Sequence, residues 1–430
     1  MEFVKSGGGA GAYAEKLANP ADGEIGIVLT AQGDANKERL LSEKFTGGPV
    51  FMIVRLGYVA MSTEVKNASP SKTMTATAFG KLADREAAIR KLERIAAENL
   101  HNTLRLLRHN RAHDIHVYRF SSKLIPLIGH ELLAGWDPFP VLREPFAEIG
   151  RYVRQHRMRV SFHPDHFTVL STPRLEVLGK SIEDLERHTT MLEAMGLGTE
   201  AMCNIHVGGT YGDKAKAGER FVKNFAKLRP VVRSRITLEN DDKTFTALET
   251  LELAERVCAP MVLDIHHHEV NPGSERAAEL WPRIQATWAG QRGEPTAARD
   301  ARELAAVGAV ERSAATSGGS VSEYGVAPIG KEAGASGEAA AVPRPVASQL
   351  PPKIHVSSPK SDKDPRSHAD YVEIGPLLAF LREIAPTTPR LDVMIEAKMK
   401  DGALLRLMDD LQQQEGVTAL DQASFELSLR

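Results

Sequence analysis

The stretch MVLDIHHHEVNP, Met261 to Pro272, joins a short apolar run to an aspartate and three consecutive histidines. Its first six residues have the length and composition of a buried strand, and Asp264 and His266 fall at the end of that strand. Buried acids and imidazoles are costly unless they are paired or bind a metal ion. The stretch therefore predicts a functional site at the carboxyl end of a strand, and it directs attention to the ends of the other strands.

Seven further runs have the pattern of strands, and most are separated by amphipathic helical stretches. The strand candidates are residues 52–58, 116–121, 159–164, 203–209, 235–240, 353–358 and 392–398, and the helical stretches include 84–110, 182–195, 219–228 and 248–257. Right-handed crossovers place each parallel strand beside its predecessor, and closure removes the sheet edges. Eight alternating strands and helices therefore predict an α/β protein with a (β/α)8 TIM barrel.

Two segments fall outside this pattern. Residues 1–51 contain several glycines and show no sustained hydrophobic periodicity, so we treat them as an N-terminal extension of uncertain structure. Residues 290–351 are rich in Ala, Gly, Ser and Pro, a composition that buries too little apolar surface to offset the entropy of ordering. We expect a disordered low-complexity insertion there, and a single barrel domain formed by residues 52–289 and 352–430.

Composition restricts the compartment and the partners. The formal net charge of −2 gives no bulk basic signal, so a nucleic-acid contact would need a local patch. Two cysteines, Cys203 and Cys258, cannot make a disulfide framework. The sequence shows no signal-peptide pattern and no apolar run near the roughly 18 residues of a membrane span. We expect a cytoplasmic protein without membrane contact or an obligate protein partner.

Ionisable residues collect at the predicted strand ends. At or near strand ends lie His163, His206, Glu239, Asp264, His267, His355 and Glu396, and loops after the second and seventh strands carry His130 and His368. Any one of them could be a structural residue. Because the carboxyl ends of barrel strands converge on one face, the set as a whole predicts a metal cluster at that face.

The types of ligand restrict the metal and the reaction. Imidazole and carboxylate ligands without thiolate favour divalent ions such as Mn²⁺ or Zn²⁺. A bridging carboxylate such as Glu239 could hold two ions about 3.5–4 Å apart, the spacing used for in-line displacement at phosphorus. Hydrolysis of a phosphodiester is the leading interpretation, and metal-assisted sugar isomerisation on a similar barrel is the alternative.

Eight strings, in this order, resemble the ultraviolet damage endonuclease (UvsE/UVDE) family, which is related to endonuclease IV and the xylose-isomerase-like barrels. They are RLGY (55–58), YRFSSKLIPLIGH (118–130), SFHPDHF (161–167), NIHVGGTYGDK (204–214), LENDD (238–242), LDIHHHEVNP (263–272), KIHVSS (353–358) and DVMIEAKMKD (392–401). The resemblance implies a DNA repair nuclease that nicks damaged double-stranded DNA immediately 5′ of an ultraviolet photoproduct, either a cyclobutane dimer or a 6-4 product. It implies a divalent metal, commonly manganese, and no ATP.

The resemblance also implies roles for particular residues. All nine ionisable residues named above would be metal ligands, and catalysis would depend on Glu239, His206 and Lys353, a lysine near the metals that can be carboxylated. Lesion contact would fall to Tyr58, His166 and Phe167. The chain departs from the family where His166 and Phe167 replace a glutamine and a tyrosine, and where Ser62 replaces an asparagine. Alternatives are an apurinic-site endonuclease and a barrel that binds damaged DNA without cutting it.

Overall fold

Eight parallel strands close into a barrel in the computed structural model, which describes residues 50–165, 167–289 and 350–429. The barrel strands are β1 (Val50–Val59), β2 (Val117–Arg119), β3 (Arg159–Phe162), β4 (Met202–His206), β5 (Ile236–Glu239), β6 (Met261–Asp264), β7 (Lys353–Val356) and β10 (Arg390–Ile395). Each strand pairs with its predecessor, and β10 pairs with β1 to close the ring. The predicted α/β TIM barrel is confirmed.

Helices occupy the connections between these strands. They are α1 (Ala76–Gly80), α2 (Arg85–Ala112), α3 (Phe139–Gln155), α4 (Leu175–Ala194), α5 (Lys214–Phe225), α6 (Pro230–Arg233), α7 (Ala247–Arg256), α8 (Ile265–Val270), α9 (Ala277–Trp288), α10 (Ile374–Ile384) and α11 (Lys400–Leu411). Sequence signals set their starts: the Asp84 carboxylate accepts the amide proton of Ala87 at 3.0 Å and so begins α2. Within the described ranges, no helix is both long and apolar enough to cross a membrane.

Two antiparallel hairpins add to the barrel. The pair β8 (Pro359–Ser361) and β9 (Asp364–His368) follows β7, and the pair β11 (Val417–Ala419) and β12 (Ser424–Leu429) extends the sheet beside β1. Neither hairpin was expected from the sequence. The first stands at the carboxyl-terminal face of the barrel because it comes directly after a barrel strand.

Side chains along the strands alternate between the helix layer and the barrel interior. On β1, Val54 and Leu56 are fully buried within the main apolar core, whereas Arg55 between them points inward. The guanidinium of Arg55 donates to the Asp392 carboxylate from Nε at 2.7 Å and from Nη2 at 2.8 Å. The same carboxylate accepts from Nη1 of Arg159 at 2.6 Å. The lower interior of the barrel is therefore closed by a buried ion cluster.

The structure shifts the predicted strand bounds, and two of these shifts concern the site and the N-terminal extension. The sixth strand ends at Asp264 instead of His266, because the Asp264 carboxylate accepts the amide proton of His267 at 2.8 Å and begins α8. The first strand begins at Val50, inside the predicted extension. Apart from 50–51 and 350–351, the predicted extension and insertion lie outside the described residues, and their character stays a prediction.

Removing the charge of Asp392 tests the ion cluster. The buried guanidinium of Arg159 and the partly buried one of Arg55 would lose their counter-charge, so Asp392→Asn should lower the free energy of unfolding by about 3–5 kcal/mol. The matched change Asp409→Asn, on the exposed side of α11, should alter it by less than about 0.5 kcal/mol. Urea unfolding at neutral pH measures both, and equal stability of the two variants would contradict the role of the cluster.

The same residue sets a pH dependence. Burial opposes ionisation of Asp392, but Arg55 and Arg159 outweigh it and lower the pKa from 3.8 to about 2. A lowered folded-state pKa means that the ionised carboxylate stabilises the fold above pH 3.8 and that this contribution is lost as the pH falls through about 2. The stability gap between the wild type and Asp392→Asn should therefore shrink over that window.

Candidate metal centre

Ionisable side chains from six barrel strands meet at the carboxyl-terminal face. His206, Glu239 and Asp264 end β4, β5 and β6, His355 lies in β7, and His163 and Glu396 directly follow β3 and β10. In the parallel register, His206 on β4 is directly opposite Glu239 on β5, and Asp264 on β6 is directly opposite His355 on β7. Neighbouring strands therefore hold these side chains side by side, as the sequence predicted.

Glu239 is shared by two groups of possible ligands. One group is His163, His206 and Glu239, and the other is Glu239, Asp264, His355 and Glu396; within each, one ligand atom per residue lies within 4.8 Å of the rest. An oxygen of Glu239 stands 3.3 Å from Nε2 of His163 and 3.1 Å from Nδ1 of His355. The second contact of His355 is Glu396, at 3.0 Å. A carboxylate shared by two groups in this way could bind two cations.

Unsatisfied polar atoms show that the groups fit metal ions. Oδ2 of Asp264 and Nε2 of His355 are buried and have no hydrogen-bond partner within the part of the chain that the structure describes. Leaving such atoms unpaired is costly. A divalent cation would satisfy both, and neither group contains a thiolate, so the donor set suits borderline to hard ions.

Two of the acids are held in the ionised form. Burial raises the pKa of Glu239, but His355, His206 and His163 outweigh it and hold that pKa well below its ordinary value. Burial likewise opposes the ionisation of Glu396, and there the Arg119 guanidinium and His355 hold the pKa well below its usual range. Both carboxylates are therefore charged at neutral pH, as metal ligands must be.

A third acid and a histidine carry protons more readily. Burial, with the charges of Glu239 and Glu396, raises the pKa of Asp264 to about 6 against the opposing effect of His267. Burial would lower the pKa of His267, but Asp264 and Glu239 raise it to about 9. A cation bound between them would displace protons, so metal affinity should fall as the pH is lowered.

Backbone carbonyls orient four of the predicted ligand histidines. Nδ1 of His163 lies 3.0 Å from the carbonyl oxygen of Pro164, and Nδ1 of His206 lies 3.3 Å from that of Glu239. In the same way, Nδ1 of His267 lies 3.0 Å from the carbonyl oxygen of Asn240, and Nδ1 of His368 lies 2.8 Å from that of Glu396. A carbonyl only accepts, so each contact favours a proton on Nδ1. Nε2 is then left with a lone pair that can bind a metal.

Not all nine predicted ligands come together. His267 and His368 lie outside the two groups but continue the row of rings, with centroids 5.7 Å between His206 and His267 and 6.4 Å between His267 and His368. His130 does not join this row. Its Nδ1 accepts the amide proton of Leu132 at 3.2 Å and caps the short 3₁₀ helix Glu131–Leu133, and its role as a metal ligand stays a prediction. It belongs to neither group among the described residues.

Tyr58, one of the predicted lesion contacts, is buried. Its side chain is 0% exposed, and its hydroxyl donates to Oδ1 of Asn110 at 2.7 Å. Tyr58 shares the parity of Leu56 on β1 and therefore faces the helix layer, and its contact with a lesion stays a prediction. Phe167 differs, since it follows β3 at the barrel face and is 74% exposed. The third predicted lesion contact, His166, lies outside the described residues.

Lys353 lies in β7 two residues before His355, one interior layer below the ligands. Its Nζ is buried and stands 3.3 Å from Oγ of Ser161. Burial, followed by the charges of Arg159 and Arg119, lowers its pKa to about 7. The catalytic role of Lys353 and its carboxylation both stay predictions.

Sequence reasoning missed three residues of the site. Arg119 pairs with the Glu396 carboxylate inside the barrel. Asn204 donates to the Glu239 carboxylate. His266 is fixed by two contacts, with Nδ1 2.7 Å from Oγ of Ser357 and Nε2 2.6 Å from the carbonyl oxygen of Pro365 on β9. Because side chains alternate between the two faces of a strand, the positions of Arg119 on β2 and Asn204 on β4 could have been predicted to face the barrel interior.

A cavity of about 380 Å³ opens beside the ligands. His163, His206 and His267 form its inner wall, and the loops after β3, β4 and β5 form the rest, through residues 164–165, 168–169, 208–209 and 241–244. The centre is therefore reached from solvent on the histidine side.

This chain is similar to known proteins both in sequence and in structure. The sequence profile of a family described as UV-endonuclease UvdE matches residues 54–296 and 346–427. The UV DNA damage endonuclease of Halalkalibacterium halodurans is 39% identical over 378 residues, which cover 88% of this chain and 100% of that protein. That of Bacillus pumilus is 38% identical over 361 residues, covering 84% of this chain and 94% of that protein. The crystal structure of SacUVDE has the same fold, with a TM-score of 0.62 at 23% identity, covering 84% of this chain and 98% of that chain.

Metal binding should be measurable without any substrate. A divalent ion held by folded protein alone should raise the thermal midpoint of the wild type by about 3–6 °C at about a hundredfold excess over its Kd. Glu239→Gln removes the shared ligand and should abolish most of this rise. Glu252→Gln, on the exposed side of α7, should keep it. Thermal unfolding during titration with Mn²⁺ and Zn²⁺ provides the measurement. A rise of the thermal midpoint in Glu239→Gln equal to that of the wild type would contradict the role of Glu239 as a metal ligand.

Proposed function

This chain belongs to the UV-endonuclease UvdE family, and we propose that it hydrolyses the phosphodiester immediately 5′ of ultraviolet photoproducts in double-stranded DNA. The resemblance found in the motif strings is thereby confirmed at the level of the family. The substrates would be cyclobutane pyrimidine dimers and 6-4 photoproducts, and the reaction would use divalent metal and no ATP. The observation that carries the proposal is the Glu239 carboxylate, which belongs to two ligand groups at once.

Side chains at the carboxyl-terminal face of the barrel would bind the metal ions, and neighbouring residues would keep the carboxylate ligands ionised. We assign Mn²⁺ as the ion, because imidazole and carboxylate ligands without thiolate suit it. When bound, the ions would supply Lewis-acid activation of the phosphodiester and would lower the pKa of water. Glu239 and His206 would act as ligands on one side, and Glu396, held in the ionised form by Arg119, on the other.

The recessed position of the site supports a preference for damaged DNA. Glu239 is only 1% exposed, so the backbone of a straight duplex would not reach its carboxylate. A strand must bend or extrude nucleotides to enter, and a photoproduct lowers the cost because it already weakens stacking and pairing. Phe167, exposed beside the cavity, and His166 would contact the distorted region. Such a repair enzyme would work with chromosomal DNA in the cytoplasm.

Three other activities would give different results with the same substrates. An apurinic-site endonuclease would prefer a duplex with a missing base to one with a thymine dimer. A sugar-phosphate isomerase would leave both duplexes intact. A damage-binding barrel would bind the dimer without cutting it, and its binding would survive metal chelation.

The central assay is cleavage of a labelled duplex that carries one thymine dimer, in the presence of Mn²⁺. We expect a nick at the 5′ side of the dimer, loss of the nick with EDTA, and no dependence on ATP. Glu239→Gln and His206→Ala each remove a ligand and should reduce the rate by at least about a hundredfold, whereas Glu252→Gln should match the wild type. Absence of a nick by metal-loaded wild type, or a normal rate in Glu239→Gln, would overturn the proposal.

A further inference from the structure

A strained tyrosine stands on the loop after β4. The amide of Asp213 donates to the carbonyl oxygen of Thr210 at 3.2 Å and closes a four-residue turn. Its central residues, Tyr211 and Gly212, have φ angles of 52° and 84°. Two successive positive φ values are typical of a type I′ turn, whose central positions favour asparagine and glycine. A bulky aromatic residue in this backbone region is an outlier.

The ring of Tyr211 is positioned yet open to solvent. A Cβ placed on Gly209 would stand 3.4 Å from Cε2 of Tyr211, so the ring rests against the Gly209 backbone. The Arg220 guanidinium lies 5.6 Å from the ring centroid, and its Nε donates to the carbonyl oxygen of Ser171 at 2.8 Å. Even so, Tyr211 is 42% exposed. The ring is held in place without being buried.

The ring is also next to the cavity that the candidate ligand histidines line. Gly209, against which it rests, lines that cavity together with His163 and His206. Phe167, on the loop after the neighbouring strand β3, is 74% exposed, and Asp165 and Thr168 on either side of it line the same cavity. Two exposed rings therefore come from adjacent loops that form one cavity wall. Backbone strain of this kind is found where a side chain is held for function.

We propose that Tyr211 is a stacking contact for a nucleobase of the DNA, held by Gly209 and Arg220 at the entrance to the metal centre. This inference rests on the proposed function, because it takes DNA as the ligand. An exposed ring offers a surface to any base, and a neighbouring guanidinium adds a cation–π contribution. A nucleotide displaced from the duplex near the scissile phosphate is the group that such a ring would meet.

The experiment compares three variants with the wild type. Tyr211→Asn removes the ring and puts a residue suited to the turn in its place. Tyr211→Phe keeps the ring, and Leu420→Asn removes a residue of similar exposure, 41%, in a turn beside Gln422. That turn contacts the end of α2, at the opposite end of the barrel, through a bond from Gln422 to the Ala112 carbonyl oxygen. Affinity for the dimer-containing duplex is measured by fluorescence anisotropy without metal, nicking with Mn²⁺, and stability by thermal unfolding.

Tyr211→Asn should weaken binding and raise KM by about fivefold to a hundredfold, the range for loss of one stacked base. Its thermal midpoint should be unchanged or about 1–3 °C higher, because the strained φ is relieved. Tyr211→Phe and Leu420→Asn should bind within about twofold of wild type.

Three outcomes overturn the inference. They are normal binding by Tyr211→Asn, weakened binding accompanied by a lower thermal midpoint, and weakened binding by Tyr211→Phe. The second would make the ring a structural support, and the third would assign the role to the hydroxyl. If the wild type binds the duplex but does not nick it, the proposed function is wrong and the role of Tyr211 can still hold. If the wild type does not bind the duplex, both the proposed function and the role of Tyr211 are wrong.

Discussion

The buried carboxylate of Glu239 is the interaction on which the rest of the site depends. A charge that is 1% exposed inside a protein is costly, and here three histidines offset the cost by holding its pKa low. The barrel register makes this possible because His206 and Glu239 sit side by side on β4 and β5. The remaining ligands face Glu239 from the other strands.

The interior below this carboxylate is polar in successive layers. Lys353 lies under the ligands, and the cluster of Asp392 with Arg55 and Arg159 closes the lower part of the barrel. Burial and the charges of Arg159 and Arg119 lower the pKa of Lys353 to about 7, whereas Arg55 and Arg159 hold Asp392 in the ionised form. The candidate metal centre is therefore recessed within the barrel, and under the proposed function a deformed DNA strand would enter it more easily than a straight one.

Periodicity and residue type were enough to predict the barrel and most of the cluster. Eight apolar runs separated by amphipathic stretches allow few other folds, and His163, His206, Glu239, Asp264, His355 and Glu396 fall where each run ends. The contacts and the facing of individual side chains could not be predicted from the sequence in the same way. His130 follows a strand but caps a 3₁₀ helix, and Tyr58 falls on the helix-facing side of β1. The hairpin of β8 and β9 is short and polar, so it has no apolar alternation by which to recognise it.

Whether Glu239 bridges two metal ions is best tested by electron paramagnetic resonance of Mn²⁺-loaded protein. Two ions about 3.5–4 Å apart on a shared carboxylate should give the spectrum of an exchange-coupled pair. Glu239→Gln should replace it with the spectrum of isolated ions or with none. A wild-type spectrum of isolated Mn²⁺ only, at full occupancy, would contradict the shared-carboxylate account.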